Sequence, residues 1–198
     1  MCEWRLEMLL IRAENIEFQP WANGGGRTRE LLAWPTTTSW KVRVTLAEIE
    51  RDGAFSPFPK VQRWFAVVTG QGVELRFPTG NRMVVQGDAP LCFDGKLAPH
   101  CGLLNGHTQD LNLMAREGVA AMRLVQPDIK WLEPFDQRGI FTTAAGWLYP
   151  QPAGSNGGSR MRLEPNTLLW DIAGEGIQYV PDSQHSRAWW LGYSGSVA

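Results

Sequence analysis

The chain has no long apolar run. The longest uninterrupted one is Trp64–Val68, far short of the ~20 residues that a membrane-spanning helix needs. The opening MCEWRLEMLL carries Glu3 and Glu7 and lacks a basic stretch followed by a long apolar one, so it does not read as a secretory leader. Neither sign of charge is in excess. Nineteen basic residues face 20 acidic ones, for a net charge of −1, and no basic block marks a nucleic-acid binder. Cysteine is scarce: Cys2, Cys92 and Cys101 make an odd count with no CxxC pair. That favours thiols in a reducing cytoplasm over a disulfide framework. Of the three histidines, His100 and His107 fit no HxH or HExxH spacing, so neither a metal nor a cofactor is expected. GxSxG, GxGxxG and GxxxxGK[ST] are all missing, which leaves no nucleophile elbow, dinucleotide fingerprint or P-loop. No long stripe of period 3.6 is present, so helices should be few and short.

The chain does have punctuation and aromatics. Its 198 residues include 21 glycines and 13 prolines spread along its length, with 10 tryptophans and 8 phenylalanines. This composition suits an all-β protein of many short strands. Trp40–Ala47 alternates, with bulky apolar residues at even positions, so Arg43 shares a face with Lys41 and Thr45; solvent is the plain reading for that face, but alternation does not say which face looks inward. Arg63–Thr69 is apolar on both faces and reads as a buried strand. Val73–Phe77 follows Gly70-Gln71-Gly72, which predicts a hairpin. Further strands are expected at Met83–Gln86, Asp110–Met114, Gly139–Leu148, Thr167–Ile172, Ile177–Val180 and Ala188–Tyr193. Arg29–Trp34 could form a helical turn. Gln151–Arg160 and Pro181–Arg187 read as surface loops. Two rounds of hairpin-rich sequence suggest two β-modules, roughly 1–105 and 106–198, in one body with room for strand exchange. Closed barrels or sandwiches would remove their exposed edges.

One residue does not fit its strand. Arg63 stands at the mouth of the most apolar run, with Phe65 and Val67 on its face and Trp64 and Ala66 on the other. Leaving a buried charge without its partner costs about 3–5 kcal/mol. Glu30 or Asp110 could pair with it internally; a bound carboxylate would serve equally well, held in bidentate fashion. The glycine-rich PWANGGGRTRE, residues 20–30, could be a ligand loop whose backbone N–H groups meet an anion. A tight turn before a strand is the plainer alternative.

The spacing around Arg63 resembles the first cupin motif. Ser56-x-Phe58, four residues, Arg63, six residues and Gly70 follow the frame His-x-His, three or four residues, Glu, six residues, Gly. Ser56 and Phe58 stand in place of the histidines and Arg63 in place of the glutamate, so the frame is kept without its metal ligands. The wider set of motifs is similar to the HutD/Ves family of bicupins. It comprises Trp21-x-Asn23-Gly-Gly-Gly-x-Thr28-Arg29-Glu30, Arg43-Val-Thr-Leu-Ala, Asp52-Gly-Ala-Phe-Ser-Pro-Phe-Pro59, Phe93-Asp-Gly95 and Asp110-Leu-Asn112-Leu-Met114. Lys60 stands where that family usually has glycine.

The resemblance implies two cupin-type β-barrels in one chain and a link to histidine utilisation, by binding a pathway intermediate rather than by catalysis. A small acidic metabolite such as urocanate or formylglutamate would suit such a site. Arg63 is expected as the anion anchor and Arg43 as a second one, with Trp21 and Phe58 as apolar walls. Asn23, Thr28 and Ser56 would orient polar ends, and Glu30, Asp110 or Asn112 would take donors. Alternatives are a metal-independent isomerase or lyase using Glu30 and Asp110, a Ves-like stress-response role, and a partner-binding role for the Gln151–Arg160 loop. No nucleic-acid or membrane partner is expected, and a homodimer is left open.

Overall fold

The computed structural model describes residues 8–151, 160–174, 176–183 and 186–195. Most of the opening segment, Cys2 and most of the Gln151–Arg160 loop lie outside them. The described residues are almost all strand and turn, with 3-10 turns at Ala13–Asn15 and Gly95–Leu97. In chain order the strands begin with β1 (Leu9–Arg12), β2 (Gln19–Pro20), β3 (Gly26–Trp34), β4 (Val42–Ile49), β5 (Gly53–Ala54) and β6 (Val61–Thr69). Next come β7 (Val73–Phe77), β8 (Gly80–Val84), β9 (Leu91–Asp94), β10 (His100–Leu103), β11 (Thr108–Arg116) and β12 (Val119–Leu124). The chain ends with β13 (Gln137–Thr142), β14 (Gly146–Gln151), β15 (Met161–Leu163), β16 (Thr167–Trp170), β17 (Gly176–Pro181) and β18 (Ala188–Ser194). Arg29–Trp34 is therefore strand, not a helical turn. Its apolar residues extend the sheet by pairing with β4.

The chain divides into two compact units. One runs from Ile16 to Val119. It holds a six-stranded sheet, ordered β2-β3-β4-β11-β6-β9, and a four-stranded sheet, ordered β5-β10-β7-β8. Its apolar core includes Ile49, Phe65 and Val67 from the first sheet and Val73, Leu75 and Cys101 from the second. The other unit runs from Ala120 to Gly195 and includes the N-terminal segment up to Asn15. Its five-stranded sheet is ordered β1-β16-β13-β18-β12, and its three-stranded sheet β15-β14-β17. Trp131 and Trp190 stack at 5.3 Å within its core. The division falls after β11, later than the 105/106 boundary expected, because β11 lies between β4 and β6. Among the described residues none of the four sheets closes on itself.

Two expectations about local structure are corrected. β6 and β7 do not form a hairpin: β6 pairs with β11 and β9, and β7 with β10 and β8. Gly70-Gln71-Gly72 instead carries the chain from one sheet to the other. Gly70 and Gly72 have φ of 94° and 112°. A Cβ at either would lie 2.7 Å from the His107 carbonyl or 2.5 Å from that of Val84. The run Gly139–Leu148 is also two strands, β13 and β14, not one.

Lys60, in the turn entering β6, has φ of 61°, a left-handed conformation that costs a side chain about 1–2 kcal/mol. Lys60→Gly should relieve this and, net of the added freedom of the unfolded chain, raise the urea midpoint by about 0.5 kcal/mol of stability. Lys60→Val should lower it. A lower midpoint for the glycine variant would show that the turn is unstrained.

Candidate functional site

A cavity of about 350 Å³ opens within the Ile16–Val119 unit. Its floor follows from strand register. β11 lies between β4 and β6, so Met114 is opposite both Arg43 and Arg63, and Asn112 is opposite both Thr45 and Phe65. Period-two alternation turns all six of these side chains to one face, and all six line the cavity. The β2–β3 hairpin adds Trp21, Asn23 and Thr28, and the segment between β5 and β6 adds Phe55, Ser56 and Phe58. The volume is at the small end for ligand sites, which suits a metabolite of few atoms.

Arg63 is 5% exposed. Its Nη2 donates to Asn112 Oδ1 at 3.0 Å, while Nε and Nη1 are buried with no hydrogen-bond partner. The guanidinium carbon lies 5.0, 5.6 and 5.2 Å from the ring centroids of Phe55, Phe58 and Phe93. Those ring faces offset part of the desolvation cost. Burial, and secondarily the charge of Arg43, pull its pKa from 12.5 down to about 10. The guanidinium is still charged at neutral pH, with a desolvation cost on the order of 3 kcal/mol. Of the two carboxyl groups that could have paired with it internally, Glu30 bonds Arg43 and Asp110 bonds Thr108.

The Phe93-Asp94-Gly95 motif has a structural explanation. Phe93 is one of the three rings around Arg63. Asp94 Oδ1 accepts from Lys96 N at 2.9 Å, and the Gly95 carbonyl accepts from Phe58 N at 2.9 Å. A Cβ on Gly95 would lie 2.7 Å from the Phe58 carbonyl. Glycine therefore lets the Phe58 segment close over Arg63.

Arg43, on a strand whose inward face alternation leaves open, lines the cavity. Val42, Val44 and Leu46 on the opposite face are also buried, so alternation in β4 separates polar from apolar residues but not outside from inside. Glu30 lies outside the lining and accepts from Arg43 Nε at 2.6 Å. It positions Arg43 rather than taking a ligand donor itself. Asp110 lies outside the lining too, two residues along β11 from Asn112 and beside the register shift between Gln109 and Asp110. It is fully buried; its Oδ2 accepts from Thr108 Oγ1 at 2.7 Å and its Oδ1 has no partner. Burial pushes its pKa up to about 8 against the opposing effect of the Thr108 hydrogen bond.

The three-glycine loop is a turn. Trp21 N donates to the Gly26 carbonyl at 2.9 Å, and Gly25 N to Asn23 Oδ1 at 3.0 Å. Trp21 Nε1 donates to Thr28 Oγ1 at 2.7 Å, which fixes the indole at the cavity wall. Sequence reasoning missed Thr45, Phe55, Phe65 and Met114. The period-two signal in β4 and β11 would have found Thr45 and Met114 once the inward face was known. Among the described residues, no group of three or more His, Cys, Asp or Glu side chains could hold a metal ion.

Fold and site together define a cupin-like all-β protein with a cationic, aromatic-walled pocket, and solved structures of that fold align at TM-scores of 0.66 and 0.64. The chain belongs to the HutD family, which matches residues 13–166. An uncharacterized 21.2 kDa protein of the hutC 3' region of Pseudomonas putida is 33% identical over 111 residues, covering 54% of this chain. That match spans 58% of the relative's length. Protein Ves of Citrobacter koseri is 29% identical over 131 residues, 64% of this chain and 68% of its own. The solved HutD structure from Pseudomonas fluorescens SBW25 aligns with a TM-score of 0.79 at 23% identity, covering 96% of this chain and all of that one. That structural likeness shows the fold alone.

Two outcomes are expected. Replacing Arg63 by methionine should raise the thermal stability of the ligand-free protein by about 1 kcal/mol, because an under-paired buried charge is exchanged for apolar volume. A large loss of stability would mean that the arginine is a structural tie. Asp110 holds its proton in the folded state up to about pH 8, but its ordinary value is 3.8. Its contribution is therefore full below about pH 4 and falls as pH rises towards 8. Asp110→Asn should flatten that slope, gaining on the order of a few kcal/mol at pH 8 relative to pH 4. Urea midpoints at the two pH values, with unchanged slope in the variant, would rule out a neutral buried carboxyl.

Proposed function

We propose that the protein binds a small acidic metabolite in the cavity of the Ile16–Val119 unit. The observation that carries this reading is Arg63, a buried guanidinium with two nitrogens unpartnered among three aromatic rings at a cavity wall. Departures of this kind from a residue's local pattern gather at functional sites. A carboxylate brought to that edge would supply charge-assisted hydrogen bonds and offset the desolvation of Arg63. Trp21, Phe55 and Phe58 would wall the rest of the ligand, with Arg43, held by Glu30, as the second cation.

Membership of the HutD family supports histidine utilisation as the setting. The Pseudomonas putida relative described by its place beside hutC points the same way. We infer a ligand such as urocanate or formylglutamate, a cytoplasmic location, and a role in modulating the pathway without catalysing a step. The two units are read as the two halves of a bicupin. The isomerase or lyase reading draws on Glu30 and Asp110, neither of which lines the cavity; a Ves-like stress role would rest on the similarity to protein Ves of Citrobacter koseri.

The test is a thermal-shift screen of the metal-free protein against histidine, urocanate, formylglutamate, formiminoglutamate, glutamate and formate, with unrelated acids as controls. A ligand at one hundred times its Kd should stabilise the fold by about 2.7 kcal/mol. The shift should be selective for one pathway acid and absent in Arg63→Met. No shift from any acid would sink the metabolite reading.

A further inference from the structure

A second cavity, of about 100 Å³, lies within the Ala120–Gly195 unit, where the chain enters β18. Arg187, the residue before that strand, lines it. Thr143, in the link between β13 and β14, fixes the Arg187 main chain. Arg187 N donates to Thr143 Oγ1 at 3.2 Å. The Arg187 carbonyl accepts from Thr143 N at 3.0 Å and from Thr143 Oγ1 at 2.9 Å. In the side chain, Nη1 donates to the Ser186 carbonyl at 3.2 Å. Nε is buried and, among the described residues, has no hydrogen-bond partner. The backbone is therefore pinned while one buried donor is left over, as in a preorganised binding group. Arg29 Nε is also buried without a partner, but Arg29 lines neither cavity. Its guanidinium instead lies over the Phe18 ring, 3.9 Å from the centroid.

The rest of the lining supplies no counter-charge. Among the described residues it includes neither aspartate nor glutamate. Asp182, close by in sequence, is held by Arg162 through hydrogen bonds of 2.8 and 2.5 Å. Tyr179 borders the cavity, but its hydroxyl is bonded to Thr142 Oγ1 at 2.8 Å and to the Ala144 carbonyl at 2.7 Å. Burial holds that phenol above its ordinary pKa, so it adds no negative charge at neutral pH. Leu124, Val125, Pro127 and Pro181 form apolar wall, and the prolines bring no N–H of their own. Arg187 and the Ser186 hydroxyl are thus the side-chain donors left for an occupant. The space admits about three waters, or one planar anion of similar size.

We propose that the Ala120–Gly195 unit carries an anion site of its own, in which Arg187 and Ser186 hold a small planar oxyanion. The class is a carboxylate of one or two carbons, or bicarbonate. One oxygen accepts from the unpartnered Nε in a charge-assisted hydrogen bond, and another accepts from the Ser186 hydroxyl. The apolar walls leave nothing to receive a second charge, so dicarboxylates and amino acids are excluded. This inference goes beyond the binding proposed for the Arg63 cavity and does not depend on it.

The experiment is heteronuclear NMR of the arginine Nε–H groups in the full chain. It is titrated with sodium formate, acetate and bicarbonate at an ionic strength held constant with sodium chloride. The Arg187 resonance, assigned by its loss in Arg187→Lys, should move and saturate, with a half-point between about 0.1 and 10 mM, the range open to so small a ligand. The same curve should appear in Arg63→Met, where the first cavity has lost its anchor. Succinate and glycine should bind at least roughly tenfold more weakly than acetate. Ala188→Leu keeps the arginine and fills the space, so saturation should be lost there with the rest of the spectrum preserved. A shift that drifts linearly with every anion would show that water alone fills the cavity, and would overturn the site. Saturation in the wild type but not in Arg63→Met would trace the effect to the first cavity and overturn it equally. Succinate binding as tightly as acetate would overturn the ligand class.

Discussion

The site is organised around the contact between Arg63 and Asn112. A guanidinium that is 5% exposed has a single hydrogen bond, to a side chain on the neighbouring strand. Everything nearby is arranged to make that burial tolerable without neutralising it. Three phenylalanine rings present their faces, and Gly95 allows the Phe58 segment to approach closely enough to enclose the charge. A buried ion pair would have been the more stable solution for this position once the charge was there. Glu30 is used by Arg43 and burial keeps Asp110 protonated, so the arginine keeps its capacity to donate.

Register explains why a few substitutions turn one scaffold into a cation-lined cup. With β11 between β4 and β6, one row of facing residues is Arg43, Met114 and Arg63, and the next is Thr45, Asn112 and Phe65. The first row sets charge and the second sets hydrogen bonding and shape. Glu30, on β3, acts one strand away by fixing Arg43. The site is therefore built mainly on paired strands, which hold side chains more firmly than loops do.

Much of this was legible in the sequence, for a physical reason. Arg63 stood out because a charge within an apolar strand contradicts the pattern around it, and such contradictions gather at functional sites. Trp21, Asn23, Thr28, Ser56, Phe58 and Asn112 were singled out through the resemblance to the HutD/Ves family, and all line the cavity. The orientation of β4 was not legible. Alternation gives two faces, and when both are buried it cannot say which holds the ligand. The partners of Glu30 and Asp110 were also hidden, since pairing depends on contacts between distant strands. The Gly70-Gln71-Gly72 link was misread as a hairpin because two glycines suit both a tight turn and a change of sheet.

The pairing of β1 with β16 bears on how the chain is made. Leu9–Arg12 is made before the Ile16–Val119 unit, yet its partner Thr167–Trp170 emerges only after that whole unit has been completed. During that interval Leu9 and Leu10, both exposed on the finished sheet edge, belong to a strand with nothing to pair with. A nascent chain in that state offers an apolar β-edge to its surroundings. The unit that carries the pocket can finish folding while the strand that precedes it is still waiting.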